Sequence, residues 1–190
     1  MDTLPKAVTP EIRAFCATIT GGEPIFVPSR PQPDAVISFC FDNVARQISA
    51  MGGTVVPGWA VWNLAGAYFE AEHHGVWRSP SGELVDVSPQ PNCAVRILFL
   101  PDPAVPYDPL SFRSNIIAAE PGSPDGPAIV ALAKRRNQIL DSYRAPGVTV
   151  PNLSFGHQLE VAGIMLQLGL LFEGRDSAAT PRACAPDGGR

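Results

Sequence analysis

HHGVWRSPSGELVDVSP, residues 73–89, places two runs of strand-forming residues on either side of a Ser-Pro-Ser-Gly connection. Val, Trp and Leu suit a pleated, half-buried surface, and the connection carries turn formers. Pro80 and Ser81 suit the two centres of a type I turn, and Gly82 suits the left-handed position after it. A three-residue loop therefore joins Ser79 to Glu83. In that register Val76 faces Asp86 and His74 faces Ser88, so His74 and Asp86 share one face as near neighbours. His73, one residue earlier, must point to the opposite face. A two-residue loop would exchange the histidines and put His73 beside Asp86.

Working upstream, Phe41, Val44, Ala45, Ile48 and Met51 recur at helical spacing before Gly52-Gly53. This spacing predicts a helix from about Phe39 to Met51, capped by Ser38. TVVPGWAVWNL, AYFEAEHHGVWRS, GELVDVS and AVRILFL follow, each bounded by Gly or Pro, and read as a meander of four antiparallel strands. Before the helix, Thr9 and Pro10 open a short helix, and PIFVPSRPQP is extended. Beyond Pro101, FRSNIIAAE reads as strand or edge, and residues 127–144 form a helix with Pro127 at its start. A last helix runs from about Ser154 to Glu173, with Leu159, Ala162, Gly163, Leu166 and Leu170 on one face. Residues 174–190 are small and polar and read as a disordered tail, leaving residues 1–173 as a single domain with its core at about 36–100.

Cys40, His74 and Asp86 fall in this helix and hairpin in an order that suits nucleophilic catalysis. A thiol at a helix start sits where unpaired N–H groups and the helix dipole favour the thiolate. An imidazole beside it holds the proton and returns it to a leaving group, and a carboxylate fixes the imidazole's tautomer. Asn43 or Gln47 on the same helix side is a candidate oxyanion donor alongside the Cys40 backbone N–H. Trp59 and Trp77 are candidate walls of a substrate groove, with core packing the competing role. A zinc site built from Cys40, His73, His74 and Cys93 is disfavoured, because adjacent strand histidines diverge and no ligand pair is closely spaced.

The segment HHGVWRSPSGELVDVSP resembles the His-x-Trp strand, glycine turn and Asp-Pro-Thr strand of transglutaminase-like proteins. GGTVVPGWAVW is similar to the strand that follows the cysteine helix in that superfamily. The resemblance covers roughly residues 36–100 and implies an α+β, papain-like core with the cysteine helix on an antiparallel sheet and C-terminal helices against it. It implies Cys40 as nucleophile, His74 as base and Asp86 as orienting partner, acting without metal or organic cofactor on a protein or peptide amide. Hydrolysis (amidase, peptidase or glutamine deamidase) is the expected outcome, with transfer to an amine, a transglutaminase-like cross-linking, as the other acceptor chemistry. The sequence departs from the family pattern at Phe41 in place of Trp, in the His74–Trp77 interval, and in the Ser88-Pro89 order. Those departures motivate the alternative of a catalytically inactive module that binds a protein partner.

Composition bounds the rest. The 190 residues are 45% hydrophobic and 17% charged, with 21 prolines and 17 glycines, which excludes a disordered polymer and predicts short elements with long connections. A net charge of −4 without a basic stripe argues against nucleic acid. Cys16, Cys40, Cys93 and Cys184 are irregularly spaced and read as reduced thiols. No basic start with an apolar stretch follows Met1, and the run Val161–Phe172 reads as too short to span a bilayer, so a cytoplasmic protein without membrane contact is expected.

Overall fold

The computed structural model describes residues 4–64, 66–90, 93–108, 113–143 and 152–173. Thr9 caps α1 (Pro10–Ala17) by accepting from the Ile12 amide at 3.3 Å, with Pro10 opening the helix. Strand β1 (Ile25–Pro28) follows, then α2 (Cys40–Met51), which stops where Gly52 takes φ +72°. Next come β2 (Thr54–Leu64), β3 (Tyr68–Arg78), β4 (Leu84–Val85), β5 (Arg96–Pro101) and β6 (Ile116–Ala119). The chain then forms α3 (Gly126–Ser142) and α4 (Phe155–Glu173). The expected disordered tail, 174–190, lies outside the described residues.

The fold is α+β, with one antiparallel sheet whose strand order is β1-β5-β2-β3-β4. The expected meander is corrected here: β5 does not pair with β4 but inserts between β1 and β2. β4 is shorter than its sequence suggested, because after Val85 the chain leaves β3 and runs beside the end of β1. Asp86 donates its N–H to Pro28 O at 2.9 Å, Arg30 donates to Asp86 O at 2.8 Å, and Ser29 bridges Asp86 in parallel. The two edges of the sheet thus meet, and the sheet curls closed. β6 pairs with the N-terminal half of β3, along the edge that β4 leaves unused.

Strand alternation divides the core. Val27, Ala60, Val76, Ile97 and Phe99 fill the inside of the curl. Trp59, Val61, Phe69, Ala71, Leu98 and Leu100 point outward and are covered by Ile12, Phe15 and Cys16 of α1. Further along the same outer surface, α2 lays Val44 and Ile48 against Val85, Val87 and Trp77. α3 covers Tyr68 and Ile117, and α4 packs on α3 through Ile164 and Leu168.

Gly58 faces inward where β2 and β5 approach most closely, and a Cβ there would meet the Leu100 carbonyl oxygen and the Phe99 ring. Gly58→Ala is expected to destabilise the fold by at least about 2 kcal/mol in urea unfolding, since backbone cannot yield as a side chain can. Gly21→Ala, with open space around it, is expected to be near neutral in the same measurement.

Candidate active site

The entry into α2 differs from the cap read in the sequence. Phe39, not Ser38, is the N-cap residue, without a side-chain cap bond. Ser38 takes φ +68°, a left-handed conformation uncommon outside glycine and frequent beside functional groups. Cys40 is therefore the first helical residue. The N–H groups of Cys40, Phe41 and Asp42 have no acceptor within the helix, which makes this terminus favourable to negative charge. The Cys40 side chain is half-buried rather than sealed.

The hairpin register is as expected. Ser79 N–H donates to Glu83 O at 2.9 Å, Gly82 takes φ +91°, and Trp77 and Arg78 pair with Val85 and Leu84. His74 shares the inner face with Val76, and its Nε2–H donates to Asp86 Oδ1 at 3.1 Å. With Nε2 occupied, Nδ1 is the ring nitrogen left for a second partner. Burial opposes charge on this imidazole, but the Cys40 thiolate and the hydrogen bonds to Asp86 and Cys40 outweigh it and hold the pKa well above 6.5. His73 takes the outer face, where it sits between Phe41 and Trp59 and donates from Nε2 to Val105 O at 2.8 Å. Burial lowers its pKa, so it is a neutral packing residue.

Asp86 has no solvent exposure, and every bond it accepts has a defined source. Ser29 Oγ donates to Oδ2 at 3.1 Å, Gln90 Nε2 donates to Oδ2 at 2.6 Å, and the Ser88 amide donates to Oδ1 at 3.1 Å. Neither Ser29 nor Gln90 carries a signal in the sequence, because nothing in a local pattern shows that β1 will lie beside residue 86.

The other sequence candidates have structural roles. Asn43 is buried, and its two amide hydrogens go to Val36 O at 2.8 Å and Ser88 Oγ at 3.0 Å, while Oδ1 accepts from the Val36 amide at 3.0 Å. It clamps the loop before Cys40 to the chain after Asp86 and has no donor left for an oxyanion. Gln47 lies seven residues along α2, about 10 Å down the axis from Cys40, so it is out of reach. Trp59 donates to Asp102 Oδ2 at 3.1 Å inside the α1-covered core. Trp77 donates to Gly52 O at 2.9 Å, at the opposite end of α2 from Cys40. The aromatic residue the sequence reading missed is Tyr107, which stacks on Phe41 at 4.4 Å. Partial burial and then the charges of Asp42 and Cys40 raise its pKa. Val36, Ile37 and Phe39 are exposed on the loop that leads into Cys40.

Cys93 is disulfide-bonded, which corrects the reading of four reduced thiols; irregular spacing along the chain does not report which sulfurs meet in space. Cys16 is buried, and burial pushes its thiol up to about 11. Among the described residues no group of three or more His, Cys, Asp or Glu side chains is placed to hold a metal ion, and the zinc ligand set is split by the opposed histidines. No protein-family model, curated protein or solved structure matches the chain.

The raised pKa of His74 sets the sign of a pH effect. Its imidazolium contributes stability that is whole below the unfolded value near 6.5 and is lost as pH rises through the folded value. The stability difference between the wild type and His74→Gln should therefore shrink on the alkaline side. A difference that grows with pH in denaturant titrations would contradict the assignment.

Proposed function

We propose that the chain is a thiol-dependent acyl-transfer enzyme with a papain-like, transglutaminase-like core, acting by hydrolysis on an amide of a protein or peptide. The observation that carries this reading is the line from Asp86 through His74 to a half-exposed cysteine at a helix N-terminus. In this reading the Cys40 thiolate attacks the amide carbonyl and a C–S bond forms. The oxyanion faces the free N–H groups at the start of α2, which are aimed where the charge develops. His74 Nδ1–H protonates the departing nitrogen, the C–N bond breaks, and a thioester remains. Water then gives its proton to His74 as it attacks, and the carboxylic acid leaves with Cys40 regenerated.

Asp86 acts through His74, keeping Nε2 protonated and Nδ1 directed at the thiol. Asp86→Asn removes the charge while keeping the shape, and is expected to lower turnover by roughly 10²- to 10⁴-fold. It should also move the alkaline limb of the pH profile to lower pH, because the carboxylate is one of the groups that raise His74. The limb is read from kcat against pH, and a loss of rate with an unmoved limb would assign Asp86 to folding alone.

Iodoacetamide labelling separates this proposal from an inactive binding module. Cys40 should alkylate first, Cys16 should stay unmodified at neutral pH in keeping with its raised pKa, and His74→Ala should slow the Cys40 adduct at least about 10-fold. A Cys40 rate indifferent to His74, measured by peptide mass spectrometry, favours the module, for which Val36, Ile37, Phe39 and Tyr107 offer an exposed apolar surface.

A further inference from the structure

The two oxygens of Asp86 have different partners. Oδ1 meets His74 Nε2 and the Ser88 amide, both at 3.1 Å. Oδ2 takes two side-chain donors instead, Gln90 Nε2 at 2.6 Å and Ser29 Oγ at 3.1 Å. A carboxylate only accepts, so the end of the Gln90 amide that meets it is the NH2. Hydrogen bonds to an ionised acceptor are short and strong, and the Gln90 contact is the shortest in this set. The single hydroxyl hydrogen of Ser29 is shared with Ser88 O at 3.5 Å, which leaves Gln90 as the stronger donor to Oδ2. Gln90 lies outside every helix and strand and is half-buried, so regular structure does not commit its side chain to this contact. Its backbone is held by the Cys93 amide, which donates to Gln90 O at 3.0 Å.

A donor on Oδ2 draws carboxylate charge toward itself and sets the positive end of its own dipole beside the Asp86–His74 pair. Both effects weaken the preference of the carboxylate for a charged imidazole. That preference must be bounded, because an imidazolium held too firmly is a poor general acid at the working pH. The titratable groups that act on His74 are Cys40 from α2 and Asp86 from the chain after β4. His73, beside it in β3, turns to the other face of the sheet. Arg30, whose amide donates to Asp86 O, sends its guanidinium to Glu83 at 2.9 Å. The side-chain donors that meet the Asp86 carboxylate besides His74 are therefore neutral, and Gln90 holds the shortest bond among them.

We propose that Gln90 is a positioning residue that acts through Asp86: by holding Oδ2 it limits how strongly the carboxylate favours the His74 imidazolium. The role rests on the acyl-transfer reading, in which His74 must surrender a proton to the leaving nitrogen. The chain has three histidines, so the His74 imidazole can be followed by NMR against pH, its signal identified by its loss in His74→Gln. Gln90→Leu keeps the bulk and removes the donor, while Ser29 and the Ser88 amide remain to keep the carboxylate in place. It should raise the His74 midpoint by about half a unit or more, a change of about threefold in the proton equilibrium. Ser29→Ala should shift the midpoint in the same direction by less. The alkaline step in the rate of Cys40 alkylation by iodoacetamide should move with the midpoint. A purely structural role would loosen Asp86 from His74 and lower the midpoint, so the direction separates the two. A midpoint that falls or stays fixed in Gln90→Leu, or in Ser29→Ala where the leucine variant does not fold, overturns the role and leaves the acyl-transfer reading standing. A Cys40 rate indifferent to His74→Ala overturns that reading, and the role with it.

Discussion

A carboxylate with no access to solvent cannot be left without partners, and the arrangement around Asp86 follows from that constraint. A buried charge is tolerated where hydrogen bonds replace the lost hydration. Here the Ser29 hydroxyl, the Gln90 amide, the Ser88 N–H and the His74 imidazole do so together. Meeting them draws the chain after Val85 away from β3 and against the end of β1, which closes the sheet. Closure of the fold and orientation of His74 are thus two consequences of one set of bonds.

The neighbouring elements divide between support and chemistry in ways that depend on strand parity and helix length. His73 and His74 differ by one residue and by the whole thickness of the sheet, so one packs as a neutral ring between aromatics while the other faces the thiol. Asn43, one turn after Cys40, ties the loop before the helix to Ser88, and so holds the helix start against the chain that follows Asp86. Position 47 is too far along the axis to take part. Trp59 packs in the core that α1 covers and Trp77 ties the end of α2 through Gly52 O, while Tyr107 and the 36–39 loop lie exposed beside the start of α2.

α4 lies mainly on α3 and touches the sheet where Phe172 packs against Tyr68 of β3, with ring centroids 6.4 Å apart. A helix in such a position needs only one apolar stripe, and α4 has two. The second stripe, Phe155, Leu159, Leu166 and Leu170, is exposed, and Glu173 lies at its C-terminal end.

The turn at Pro80-Ser81-Gly82, the register it imposes, the choice between His73 and His74, and the Thr9-Pro10 helix start were legible because each depends on residues within a few positions of one another. The helix carrying Cys40 was legible from its apolar period, to within one residue of its start. The strand order was not, since β5 pairs with β1 across some seventy positions of chain and local patterns hold no record of such partners. The same limit hid Ser29 and Gln90, gave Asn43 and Trp59 plausible chemical roles that their actual hydrogen bonds preclude, and left the Cys93 disulfide unseen. The sequence by itself determined which residues lie on which face of each element, because side-chain direction follows from backbone period alone. Only the tertiary structure decided which face meets which, because that choice rests on long-range closure around a buried charge.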